Sequence, residues 1–463
     1  MTIKGFEDAV VWAERQWGEA LLGDKRRTKR AVQIGRALAE QPAASLPAQT
    51  GSWRDLKAAY RLLNEADVTH QSVTAPHFRH TKDQACHQRH PVVLFIQDTS
   101  DLNFSHHPNT RGLGFIGDGR SRGLMLHSCL AVAANKDSTQ VLGLAAQRVW
   151  IRKQIKGSNE KRAARWKRWS ESAVWAEVVE CIGEAPVEGQ GRPTFVSVGD
   201  CASDFFGYWR GARALRWHCL SRIKENRAIT TPKAESAKLI DWARSLPQQA
   251  SKSLRLRARE GRRARDVELK VAYSEVTVMA PRNGPDKGKE AMRGWVVRCW
   301  EESSDDQAIE WILLTTIEVA NAQRALEMVE WYSCRWIIEE YYKCLKTGCR
   351  IEQRQLESRQ GLEALLGFLA VVAVRLLQLR ALSRTKPEMK AKTAVPEEMI
   401  ELVRKRLGMN KSKAMTVGEF WEGVARMGGF IGRKSDGEPG WQTLWRGWQR
   451  LQDICWGASM FPT

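Results

Sequence analysis

Apolar residues recur at helical spacing toward both ends of the chain and in short β-rich runs between them. Residues 1–70 predict three helices, over about 6–21, 24–40 and 53–64, with a break at Gly23 and with Pro42 and Pro47 in the linker before the third. Asp24 is a good N-cap for the second. Six mostly apolar residues in PVVLFIQDTS then predict a buried strand that ends at Asp98. Runs at 123–134 and 141–150 predict two more strands, the antiparallel start of a mixed sheet. TFVSVGD repeats the first pattern, a short β-rich run ending in Asp200. Between Asp200 and Glu339 the alternating runs SLRLRARE, DVELKVAY, EVTVMAP, GWVVRCW and EWILLTT predict an inserted β region. Beyond 346 the pattern is helical again: a long apolar helix over 361–380, a Lys- and Pro-bearing linker at about 385–395, and a helical tail broken at Gly428-Gly429.

The stretch WYSCRWIIEEYYKCLK, residues 331–346, holds no Gly or Pro and predicts one helix. At about 100° per residue, Tyr332, Arg335, Glu339, Lys343 and Lys346 fall on one side, and Ile337, Ile338, Tyr341, Cys344 and Leu345 on the other. Glu340 lies about 100° from Glu339, away from the cations. Taken alone this is an amphipathic surface helix with spaced ion pairs. With Asp98 and Asp200 it has a second reading, in which three acids converge. Three oxygen donors without His or Cys favour a hard cation, magnesium or manganese, over zinc, and paired hard ions suit phosphoryl transfer.

Composition narrows the partner. A formal net charge of +20, with a pI near 9.7, is spread along the whole chain and points to a polyanion, nucleic acid above all. Lys25, Arg26, Arg27, Lys29 and Arg30 crowd the first turns of the second helix, where cations oppose the helix dipole and an anion relieves them. The run at 151–169 alternates basic residues with Trp166 and Trp169, which suits either a solvated loop or a DNA backbone. Trp441, Trp445 and Trp448 recur at helical spacing, a packing face for this chain or for a second subunit.

Other classes lose ground. The ten cysteines form no CxxC pair and no signal-peptide pattern precedes them, so reduced thiols in a cytoplasm are expected. The apolar run 365–374 is too short to span a bilayer and reads as a buried helix. Five histidines and Cys86 between residues 70 and 90 match no usual zinc-finger spacing and read as a polar helix.

With these residues in hand, the chain resembles the bacterial cut-and-paste DDE transposases of the insertion-sequence-four family, transposon-five type. The likeness runs over residues 22–452. It is carried by the Tyr-x2-Arg-x3-Glu-x6-Lys signature at Tyr332, Arg335, Glu339 and Lys346, and by the blocks LGDKRRTKR, DTSDL, SRGLMLHS, VGDCASD, EWILLT, AVRLLQLR and ARMGGF. The SRG block departs from the family in continuing with Leu124-Met125 instead of two tryptophans.

The resemblance implies an α/β protein. Its ribonuclease-H-like mixed-sheet catalytic domain would span 71–385 with a β insertion at about 225–315, between a helical DNA-end-binding domain at 1–70 and a helical dimerisation region at 386–463. Asp98, Asp200 and Glu339 would be catalytic and hold two Mg2+ ions, with Mn2+ able to substitute. Tyr332, Arg335, Lys343 and Lys346 would grip phosphates near the cleaved end, and Trp311 would stack on a flipped base. Arg222 and Lys224 would make strand-end contacts, and Arg26, Arg27, Arg30 and Arg122 would also touch DNA. The implied partners are double-stranded transposon ends and target DNA, bound by a homodimer in the bacterial cytoplasm. A non-catalytic DNA-binding derivative, inhibitory or domesticated, is the alternative reading. The intact acidic triad weighs against it.

Overall fold

The structure, a computed structural model, describes residues 8–134, 139–152, 169–187, 189, 191–256, 265–303, 308–385, 387–393, 395–409, 414–433 and 437–459. The helices are α1 (Ala9–Trp17), α2 (Lys25–Glu40), α3 (Leu46–Gln49), α4 (Trp53–Leu63), α5 (His70–Cys86), α6 (Val174–Ile182), α7 (Phe206–Ala214), α8 (Leu239–Ser245), α9 (Ala322–Ser333), α10 (Trp336–Lys343), α11 (Arg359–Thr385), α12 (Glu397–Leu407), α13 (Val417–Met427) and α14 (Trp441–Ser459). The strands are β1 (Val92–Asn103), β2 (Gly114–Ile116), β3 (Ser121–Ala134), β4 (Thr139–Trp150), β5 (Thr194–Gly199), β6 (His218–Arg222), β7 (Ala228–Thr230), β8 (Ser236–Lys238), β9 (Ala250–Leu256), β10 (Arg265–Val278), β11 (Met292–Glu301) and β12 (Glu310–Thr315).

One mixed sheet runs β2-β3-β1-β5-β6-β12-β11-β10-β7-β8, with β4 on β3 and β9 on β10. The pairs β1–β5 and β5–β6 are parallel and β1–β3 is antiparallel, the ribonuclease-H-like core. The inserted strands extend this sheet, because β12 pairs with β6 through Leu313–Arg222. DVELKVAY and EVTVMAP, expected as two strands, form the single strand β10, held in unbroken register by β11 from Leu269–Glu301 to Val278–Met292. β1 does not stop at Asp98. Its pairing with β3 continues to Asn103–Gly123, so Asp98 sits within the strand.

Alternation along β1 separates two cores. Val92, Leu94 and Ile96 face one side with the helix α11, while Val93 and Phe95 face the other with Trp175, Trp209 and Trp217. Fully burying each such aliphatic side chain contributes roughly 1.5–3 kcal/mol. The expected apolar helix is α11, buried from Leu365 to Val374 and packed on α2, α4, α5, α13 and β4. Among the described residues one helix is long and apolar enough to cross a membrane, and it is this core helix.

The single helix expected over 331–346 is broken. α9 ends in a tight turn where Arg335 N–H donates to Tyr332 O and Ile337 N–H to Cys334 O, and α10 then starts afresh. A wider turn closes it, with Cys349 N–H donating to Cys344 O. Even so the apolar face is buried as expected at Ile338, Tyr341, Cys344 and Leu345. Glu340, on the other flank, pairs with Arg380 at 2.8 Å and Arg384 at 3.4 Å.

The histidine-rich stretch is the helix α5, but it is not a solvated polar one. His70 and His77 are buried, the first 2.9 Å from Gln147 Oε1 and the second 2.7 Å from Gln16 Oε1. At the C-terminus α14 packs within the chain, with Trp448 stacked on Trp421 of α13 at 5.3 Å. Most of the basic run, residues 153–168 with Trp166, and the side chain of Trp441 lie outside the described residues.

Candidate active site

Asp98 and Asp200 each lie two residues beyond the paired Ile96 and Val198 on neighbouring parallel strands. Because side chains alternate, both acids continue the rows Val92-Leu94-Ile96 and Val196-Val198 and share the α11 side of the sheet. β5 ends here, and Asp200 caps the following turn by accepting Ala202 N–H at 2.9 Å.

Glu339 reaches Asp98 through a cation. Arg335 Nη1 donates to Asp98 Oδ2 at 3.1 Å and Nη2 to Glu339 Oε1 at 2.6 Å. The other oxygen of Asp98 accepts Thr99 N–H at 2.8 Å, and its carbonyl accepts the Tyr342 hydroxyl at 2.6 Å. Burial pushes the Asp98 carboxyl up to about 6; the charge of Asp200 adds to this and Arg335 opposes it. Burial works against the Arg335 charge, but Glu339, Tyr332 and Asp98 outweigh it and hold the guanidinium above its ordinary value.

Beneath the acids, on the opposite side of the sheet, runs a buried polar chain. The Thr99 hydroxyl lies 2.7 Å from His127 Nδ1, His127 Nε2 lies 2.9 Å from Gln97 Oε1, and Gln97 Nε2 donates to Ser197 Oγ at 2.7 Å. Gln97 uses its amide nitrogen on Ser197, so its oxygen accepts from His127 Nε2–H, and Nδ1 is left to accept the Thr99 hydroxyl. Burial lowers His127 to about 3, which keeps the ring neutral in this role.

The expected DNA-contacting residues divide. Lys343 is exposed, its Nζ 5.3 Å over the Trp336 ring. Lys346 is half-buried between Asp101 at 3.5 Å and Glu352 at 3.7 Å. Tyr332 keeps its place on the side of Arg335 and Asp200 but is buried there, edge-on against Trp311 with centroids 5.1 Å apart. Trp311 remains half-buried on β12. Arg222 ends β6 and donates to Glu310 O at 3.3 Å. Lys224 and Arg122 are exposed. At the start of α2, Asp24 caps Arg26 N–H and Arg27 N–H, and Arg26 is exposed. Arg27 and Arg30 do not wait for an outside anion. Arg27 pairs with Glu65 and with Asp67, the latter at 2.9 Å, and Arg30 pairs with Asp55 at 2.7 Å.

Sequence reading missed Asp204. Its buried carboxylate accepts Lys224 N–H and Glu225 N–H at 2.8 Å each and pairs with Arg227, so it clamps the loop that carries Lys224. The second acid of VGDCASD was the available signal. Tyr342 and His127 had none, since their partners are far off in sequence.

The donor chemistry fits a hard divalent cation: three carboxylates, with Asp98 held up in part by its neighbour Asp200, a repulsion that such a cation relieves. As the site stands, no group of three His, Cys, Asp or Glu side chains among the described residues is arranged to hold a metal ion. The Arg335 guanidinium joins two of the three acids instead.

Comparison with known families decides the identity. Residues 10–68 match the family described as transposase DNA-binding, residues 195–375 the transposase DDE domain, and residues 371–461 the transposase Tn5 dimerisation domain. The chain belongs to the Tn5-type DDE transposases of the insertion-sequence-four family. The DDE match contains Asp200 and Glu339, and Asp98 lies upstream of it. The first match makes this transposase a DNA-binding protein with Arg26, Arg27 and Arg30 in its binding domain, and the last gives it a dimerisation region that includes α13 and α14. A solved structure described as a piggyBac transposase synaptic complex with hairpin DNA is similar at a TM-score of 0.36 and 10% identity, over 99% of this chain and 80% of that one. That likeness is too remote to argue from.

Proposed function

We propose that this transposase moves its element by cut-and-paste, with Asp98, Asp200 and Glu339 as its catalytic carboxylates. The observation that carries the reading is the placement of Asp98 and Asp200 side by side on one face of the sheet, with Glu339 tied to Asp98 through Arg335. Asp98, Asp200 and Glu339 would hold two Mg2+ ions, with Mn2+ as a substitute, which would supply Lewis acidity to the attacking and leaving oxygens. Water attacks the phosphorus at the 3′ end of the element, breaking its bond to O3′ of the strand and freeing a 3′ hydroxyl. That hydroxyl attacks the opposite strand to form a hairpin and release the flanking DNA. A second water opens the hairpin, and the regenerated 3′ hydroxyl attacks a phosphorus of target DNA, breaking its bond to O3′ and releasing a 3′ hydroxyl on the target strand.

The protein's contribution is positioning and charge. Arg335, Lys343 and Lys346 lie along one stretch of chain beside the acids and grip phosphates, and Arg222, Lys224 and Arg122 add further cations. Trp311 takes the flipped base, with Tyr332 bracing its edge. Arg26, exposed at the start of α2, meets the duplex end, with Arg27 and Arg30 behind it. Two copies joined through the C-terminal region would pair two ends, in the bacterial cytoplasm.

The test uses duplexes carrying the inverted repeats beside the gene, incubated with purified protein and Mg2+. A nick at the repeat boundary followed by a hairpin is expected, and Asp98→Ala, Asp200→Ala and Glu339→Ala should each bind ends without cutting. Cleavage by any of the three overturns the site. Tight binding by the unaltered protein without cleavage, in Mg2+ and in Mn2+, selects the inhibitory reading.

A further inference from the structure

Arg335 holds the position that a divalent ion would have to share. Its fork spans from β1 to α10, one nitrogen on Asp98 Oδ2 and the other on Glu339 Oε1, and the three side chains are only 19%, 19% and 29% exposed. Thr99 N–H takes one acceptor site of Asp98 Oδ1, and Arg335 takes Oδ2, so both oxygens already hold a donor. A guanidinium does not give up its proton, so this cation leaves only by moving.

Resting on the catalytic assignment above, we infer that Arg335 is a latch: in the DNA-free protein it holds Asp98 and Glu339 closed against a divalent ion, and a DNA phosphate that draws the guanidinium away opens them. The electrostatics favour this order. An ion entering alone meets a half-buried cation between the same two carboxylates, and like charges at that range repel strongly where water is scarce. Displacing Arg335 with no new anion strands a buried charge. A phosphate supplies that anion and matches the planar fork of the guanidinium, so DNA and ion together satisfy every charge that either one alone leaves exposed. Coupling of this kind is reciprocal, and the ion must tighten DNA binding by the factor by which DNA tightens the ion. The device keeps a DNA-cutting site unloaded until DNA is bound.

Mn2+ binding to the full-length protein, read from the electron paramagnetic resonance of free Mn2+, tests the latch without any cleavage step. Without DNA, Arg335→Gln should bind Mn2+ more tightly than the unaltered protein, by a factor in the range of roughly 5–150 typical of such couplings. Arg335→Lys keeps the charge but cannot reach both carboxylates, and should show part of the gain. Lys346→Gln removes a nearby charge that pairs with Asp101 and Glu352, and should show little. Equal affinity in Arg335→Gln and the unaltered protein overturns the latch, as does an equal gain in Lys346→Gln. The gain must vanish in Arg335→Gln/Asp98→Ala; if it persists there, the ion does not use Asp98, and the catalytic assignment falls together with the latch. Mn2+ binding that is lost in Asp98→Ala but unchanged in Arg335→Gln overturns the latch alone.

Discussion

The carboxylate of Asp204 is wholly buried against the guanidinium of Arg227, whose side chain is 16% exposed. The same carboxylate receives both backbone donors of the loop at Lys224 and Glu225, and Arg227 rests on the Trp209 ring at 4.8 Å. Asp204→Ala strands Arg227 without a counter-charge and frees two backbone N–H groups, so it should destabilise the protein by about 3–5 kcal/mol. Asp204→Asn keeps an acceptor for the loop and should cost less. Urea unfolding of the two variants checks the ranking, and equal losses would refute the loop-clamping role.

Trp311 and Tyr332 form one aromatic unit, but only Trp311 has a face open to solvent. Trp311→Ala should therefore impair hairpin formation more than the first nick, resolved on denaturing gels. Tyr332→Ala removes a buried ring and should cost about 3–5 kcal/mol of stability, whereas Tyr332→Phe should be far milder. An equal loss of nick and hairpin in Trp311→Ala would sink the base-stacking role.

Two histidines of α5 make the fold acid-sensitive. Burial lowers His70 to about 4 and His77 to about 3, so the folded protein holds both rings neutral, while the unfolded chain protonates them near 6.5. Their contribution is fully present above pH 6.5 and is lost as pH falls toward 4. His77 shows why. Its Nε2 accepts Leu144 N–H at 3.0 Å, and a second proton would face that donor. Each ring should steepen the loss by about 1.4 kcal/mol per pH unit in this window. Denaturant melts from pH 7.5 to 4.5 should give a shallower fall for His77→Gln than for the unaltered protein.

Helices α13 and α14 meet through glycine. A methyl group on Gly447 would stand 1.7 Å from Val424 O, and one on Gly428 1.8 Å from Thr443 O. Gly447→Ala must push the helices apart and disturb the stacked Trp421 and Trp448, at a cost of about 1–3 kcal/mol. Because this pair lies within the matched dimerisation region, sedimentation of the variant should also show a weaker dimer. Unchanged melting would refute the close packing.

Local pattern determined much of this protein. Alternation of period two and helical spacing are set by neighbouring residues, so the runs ending at Asp98 and Asp200, the core helix α11 and the apolar face around Ile338 and Tyr341 could all be read from the chain alone. The family was legible on another ground, the resemblance of Tyr332, Arg335, Glu339 and Lys346 to a family signature that is contiguous in the chain. What lay beyond reach depends on partners distant in sequence. Arg335 finds Asp98 across 237 positions, and β1 runs on through Asp98 because β3 pairs with it. Arg27 turns to Glu65 and Asp67, and Tyr332 is covered by Trp311. A charge or ring is free or engaged according to which element packs beside it. Spacing along the chain says which residues share a face; only the packed sheet and helices say what that face meets.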